Sequence, residues 1–166
     1  MRVKARLFGH PIHPMLIVFP LGLLTAAAIF DVIHICTHNG HWADLSFWMI
    51  AAGIIGGLIA AVFVAIDWLG IPQGTRAKFI GLIHGLSNVV VVILFIISWF
   101  MRWSNPAAPV MTAMMLGWIG IVVALFAGWL GGELVYRLNV GVDLGANLPE
   151  SRCGSRGDDL APQHAG

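Results

Sequence analysis

The residues of this chain that are equipped for chemistry are few and widely spaced. Two histidines stand in Gly9-His10-Pro11-Ile12-His13-Pro14, just before a long apolar run, and Asp67, His84 and Glu133 stand near the ends of later apolar runs. Imidazole nitrogens mixed with carboxylate oxygens form a borderline donor set that suits zinc, iron or manganese. Histidines on facing helices are also axial ligands for haem b, and His13 and His84 are the pair placed for it. No regular metal motif is matched. His10 and His13 are three apart and interrupted by proline, not the same-face i,i+4 pair of a metalloprotease, and there is no Glu-x-x-His repeat.

For these five residues to act together, something must bring them to one place, and the composition says what. Mean hydropathy is +0.87, with 58% hydrophobic and 10% charged residues, whereas about a quarter of a soluble domain is charged. The chain reads as an integral membrane protein. Residues 14–36, 45–71, 79–101 and 110–136 each reach the roughly 20 helical residues that cross a hydrocarbon core of about 30 Å. The expected architecture is an all-α, membrane-spanning four-helix bundle over residues 1–142. Residues 143–166, rich in Gly, Pro, Asp, Ser and Arg, are expected to be a disordered cytoplasmic tail.

Orientation follows from the cations. Arg2, Lys4 and Arg6 precede the first run, Arg76 and Lys78 fill the second connection, and Arg137, Arg152 and Arg156 follow the fourth run, while the other two connections hold only Arg102. The positive-inside rule then puts both termini and the middle loop in the cytoplasm of a bacterial inner membrane. The first run passes Ala26-Ala27-Ala28 into Ile29-Phe30 and is longer than a leader's apolar core, so it reads as a span, not a cleaved signal. A net charge of +1 gives no basis for nucleic-acid binding, and the implied partner is the lipid bilayer. Cys36 and Cys153 fall on opposite sides and form no disulfide framework.

Alternate spans run in opposite directions, so His13, Asp67, His84 and Glu133 fall on one membrane face. At 1.5 Å per residue, His84 lies about 8 Å beyond Phe79 and Asp67 about as far before Pro72. Ionisable groups cost up to about 3 kcal/mol at the bilayer centre and less near its edge, so they pair or serve a function. The expected site joins His10, His13, Asp67, His84 and Glu133 around a transition metal, with Arg76 and Asn88 behind them. The competing arrangement is a polar lock, in which Asp67 or Glu133 pairs with Arg76 or Arg137 and the histidines bond to helix ends. Proton or solute passage is a further use of the same groups.

The surroundings add expectations of their own. Gly81, His84, Gly85 and Asn88 recur at spacings of three and four and are expected to face protein. Gly53 and Gly57, like Gly128 and Gly132, are small-xxx-small pairs, which mark contacts inside the bundle or with a homo-oligomer or membrane redox partner. Trp42, Trp48, Trp68, Trp99 and Trp103 fit interfacial belts, and Trp118 and Trp129 are expected to be packing residues. At the opposite end lies a polar cluster, Asp31, His34, His38, His41 and Asp44. His34 and His38 share a face if the helix continues, but beside the Asn39-Gly40 turn they read as solvated residues rather than metal ligands. With no Ser or Cys nucleophile beside the site and no soluble substrate domain, the chain does not read as a self-contained hydrolase.

Several motifs in order, Gly9-His10-Pro11-Ile12-His13-Pro14-Met15, Phe19-Pro20-Leu21-Gly22-Leu23, Phe30-Asp31, Asp67-Trp68, Gly74-Thr75-Arg76-Ala77-Lys78, His84-Gly85 and Gly131-Gly132-Glu133-Leu134-Val135-Tyr136-Arg137, resemble the bacterial membrane family catalogued as domain of unknown function 2231. The likeness runs from Leu7 to Val142. It implies a four-span inner-membrane module and brings no established activity with it. Relatives fused to cytochrome-like redox domains make electron transfer an implied role, although this chain carries no Cys-x-x-Cys-His.

Overall fold

Four apolar runs become four long helices, because a chain in lipid must satisfy every backbone N–H and C=O within itself. In the computed structural model, which describes residues 6–7 and 10–141 with side chains from Met15 onward, α1 is Ile12–Thr37, α2 Gly40–Leu69, α3 Arg76–Arg102 and α4 Met111–Gly132. A π-helical turn, Glu133–Arg137, continues α4. A short antiparallel pair precedes α1, with β1 (Arg6–Leu7) against β2 (His10–Pro11). The stretches Met15–Thr37, Gly40–Leu69, Arg76–Arg102 and Met111–Arg137 are long and apolar enough to cross a membrane. The expectation for the tail, 143–166, falls outside the described residues.

The helix ends follow local chemistry more than hydropathy. Backbone at His10 is extended and α1 begins at Ile12, so Pro14 is the third helical residue. Within the first turn its missing N–H has no intrahelical acceptor to lose. Asn39 caps α2 by accepting from the His41 N–H at 3.0 Å, and Thr75 caps α3 by accepting from the Lys78 N–H at 3.2 Å. These caps start α2 and α3 at Gly40 and Arg76, ahead of the apolar boundaries at 45 and 79, because a capped polar turn is helical without being hydrophobic. His38 adopts a left-handed φ of 54° and lies outside α1. The helix does not continue to it, so His38 shares no helix face with His34, and His34 Nδ1 contacts the Asn39 carbonyl at 3.0 Å, tying the turn.

The helices pair as hairpins, α1 with α2 and α3 with α4, around a core of Leu24, Ala27, Ile50, Ile54, Val91 and Phe95. Glycines set the closest approaches. A Cβ on Gly53 would stand 2.6 Å from Leu24 Cδ2, and one on Gly57 would meet Val92 Cγ2 at 3.6 Å and Pro20 Cβ at 3.9 Å. The α2 glycine face is thus filled by α1 and α3 of the same chain. Phe95 lies over Gly120 of α4 in the same manner, 2.8 Å from where a Cβ would be. Trp99 stacks on Phe47 at 5.2 Å and meets Trp103 edge-on, while Trp48 and Trp103 point outward. Trp118 packs, donating to the Ala28 carbonyl at 3.2 Å. Trp129 does not: it is 65% exposed beside Phe126, because that face of α4 turns away from the bundle.

Candidate functional site

At the end of the bundle where α2 meets α3, the sequence-marked groups separate by depth. Glu133 is buried, and both its oxygens are taken: Oε1 accepts from Arg76 Nη2 at 3.0 Å and Oε2 lies 3.3 Å from Arg137 Nε. Arg76 is the first residue of α3 and Arg137 the last of the π-helical turn, so this triple sits at the rim. Both guanidinium groups are mostly exposed. These are ion pairs of the kind the polar-lock arrangement describes.

His84 lies eight residues into α3, about 12 Å from its start. Its ring rests against α4 where Gly131 offers no side chain, with Cε1 3.2 Å from the position a Cβ would take. Nδ1 is 2.8 Å from the carbonyl oxygen of Ala127, and Nε2 is 3.2 Å from Asn88 Nδ2, which also donates to the His84 carbonyl at 2.8 Å. A carbonyl can only accept and an amide nitrogen can only donate, so these contacts select the tautomer with the proton on Nδ1 and the lone pair on Nε2. The polar stripe of α3 serves different neighbours: a Cβ on Gly81 would stand 3.0 Å from Trp68 Cδ1, His84 turns to α4, Asn88 turns back to His84, and no described atom lies within 4 Å of a Cβ placed at Gly85.

Asp67 is half-buried near the end of α2. The side chains of His10 and His13 fall outside the described residues. Among the described residues no three His, Cys, Asp or Glu come together as a metal set, so Asp67, His84 and Glu133 do not assemble one by themselves. Next to them, Lys78 and Trp68 form a clasp: Lys78 Nζ donates to the Trp68 carbonyl at 2.7 Å, Trp68 Nε1 donates to the Lys78 carbonyl at 3.1 Å, and the ammonium lies 3.7 Å from the indole centroid.

A second polar centre, which the spacing of the ionisable residues does not reveal, is fully buried. At the opposite end, Arg102 is fully buried and all five of its N–H donors find acceptors. Nη1 and Nη2 meet the two Asp31 oxygens, each at 2.7 Å, Nη1 also meets Ser46 Oγ at 3.1 Å, Nη2 the Ala113 carbonyl at 3.3 Å, and Nε the Ser98 hydroxyl at 3.3 Å. Ser98 in turn donates to the Ala113 carbonyl at 2.6 Å. The acceptors come from α1, α2, α3 and α4, so a single side chain bolts four helices. Asp31 had been read as part of the solvated histidine cluster. The signal was there in the helix lengths: α1 runs on to Thr37, which sets Asp31 about 9 Å inside its end.

No curated protein and no solved structure matches this chain. Several of the motifs quoted above lie where the helices meet: Phe30-Asp31 at the four-helix bolt, Asp67-Trp68 and Gly74-Thr75-Arg76-Ala77-Lys78 at the clasp and rim, His84 against α4, and Glu133 with Arg137 at the rim. The family model described as predicted membrane protein DUF2231 matches residues 9–144, and the chain is a member of that family of multi-pass membrane proteins.

Proposed function

We propose that this protein is a small bacterial inner-membrane subunit that holds a transition metal ion, zinc, iron or manganese, beside His84. The observation that carries the reading is the hydrogen bond from His84 Nδ1 to the Ala127 carbonyl. Metal-binding histidines commonly donate one ring nitrogen to a carbonyl, which fixes the tautomer and presents the other as ligand. His84 Nε2, Asp67, His10 and His13 supply the donors in this proposal. Glu133 offsets Arg76 and Arg137 at the rim and is left out of the ligand set.

A second reading has its own observation. Asn88 already stands 3.2 Å from Nε2, which favours a structural network joining α3 to α4 with no ion. Elemental analysis of purified protein, with its visible spectrum, separates the two. About one equivalent of metal without a Soret band is the expected result. A Soret band would make His84 and His13 ligands of a haem b in an electron carrier, and the absence of any metal after growth in supplemented medium would leave the structural network.

The proposed orientation, both termini and the 70–75 loop in the cytoplasm, rests on the cation asymmetry of the sequence. A reporter active only in the cytoplasm, fused after residue 142, is expected to be active. Activity of a periplasm-only reporter at the same position would reverse the orientation.

A further inference from the structure

The loop between α2 and α3 borders a shallow open groove of about 440 Å³, lined by Trp68, Gly74, Arg76, Lys78, Phe79 and Leu82 among others. Its lining carries two cations, Arg76 and Lys78, and no carboxylate. The ion pairs among the described residues are Arg102 with Asp31, and Arg76 and Arg137 with Glu133. Two guanidinium groups therefore share one carboxylate. Among the described residues Lys78 belongs to no ion pair, although only 7% of it is exposed. A carbonyl and an indole face hold its ammonium, but neither carries a compensating charge, and a buried cation without an anion is costly.

The other wall of the groove is apolar and open. Phe79 is 63% exposed and Leu82 42%, one turn apart along α3 and leading from the basic rim toward the middle of the span. A ligand that answers both walls has an anionic head for Arg76 and Lys78 and a hydrocarbon chain for Phe79 and Leu82. We propose that this groove binds one anionic glycerophospholipid of the surrounding bilayer, its phosphate beside Arg76 and Lys78 and an acyl chain along Phe79 and Leu82. Basic pockets between membrane helices hold such headgroups by the same physics. This site is independent of the metal reading, since none of its lining residues is a proposed ligand.

The test uses purified full-length protein in neutral detergent, titrated with phosphatidylglycerol or phosphatidylcholine brominated on the acyl chains, with tryptophan fluorescence as readout. Phosphatidylglycerol is expected to quench at lower concentration, and Trp68→Phe to remove the difference. Arg76→Gln is expected to weaken phosphatidylglycerol binding about fivefold, the effect of one basic contact at a membrane surface. Glu133→Gln, which frees both arginines, is expected to tighten it. Opposite signs for these two substitutions separate lipid binding from a merely structural ion pair, whose loss from either side would act alike. Equal quenching by the two lipids would overturn the proposal, as would weakening by both substitutions. Competition by millimolar inorganic phosphate matching that of the lipid would overturn it in favour of a free anion. Should Arg76→Gln fail to fold, the comparison of the two lipids on the wild-type protein decides alone.

Discussion

Arg102→Leu should destabilise the bundle by about 3–5 kcal/mol, the cost of leaving a buried carboxylate without its partner. Asp31 is almost wholly buried and both its oxygens face Arg102, so the orphaned carboxylate has no water to turn to. The combined change Asp31→Leu with Arg102→Leu should recover most of that loss, because replacing both partners of a buried ion pair by apolar groups is often neutral. The hydroxyl of Ser98 keeps the Ala113 carbonyl satisfied in the double variant. Unfolding in detergent, followed by circular dichroism against added denaturing surfactant, measures both. A single variant as stable as the wild type would show that the bolt carries little of the fold's stability, and a double variant as weak as the single would mean that the two charges act on something other than each other.

Gly53→Leu should destabilise the packing of α2 against α1. A Cβ at this position already falls 2.6 Å from Leu24 Cδ2 and 2.7 Å from its Cγ, and overpacking a tight helix contact costs about 1–3 kcal/mol or more. Gly57→Ala, whose Cβ would meet its neighbours at 3.6 Å and 3.9 Å, should be tolerated. Chemical crosslinking in membranes should give the same pattern for Gly57→Ala as for wild type, since this face is occupied within one chain. A folded Gly53→Leu protein that had lost crosslinked oligomers would place the glycines at an interface between chains instead.

The four helices were legible because twenty consecutive apolar residues permit little else. Their polar first turns were less so, because hydropathy does not register the caps at Asn39 and Thr75 that start α2 and α3 early. The grouping of Glu133 and His84 at one depth rested on counting from apolar boundaries. With α3 beginning at Arg76, the carboxylate meets the rim while the imidazole lies two turns further in. The Asp31–Arg102 bolt escaped for a related reason: Arg102 closes an apolar run and Asp31 stands beside the histidines near the end of another, so each looks interfacial alone, and only the crossing of four helices buries both. Trp129 shows the limit of composition most simply, since depth in the sequence of a span says nothing about which way a side chain faces.

The proposed metal role of His84, with Glu133 serving the rim, is open to direct measurement. Metal content per chain, measured by mass spectrometry on wild-type, His84→Ala and Glu133→Gln proteins purified from the same supplemented medium, tests it most directly. About one equivalent is expected in the wild type and in Glu133→Gln, and almost none in His84→Ala. Equal metal content in wild type and His84→Ala, or none in any of the three, would contradict it.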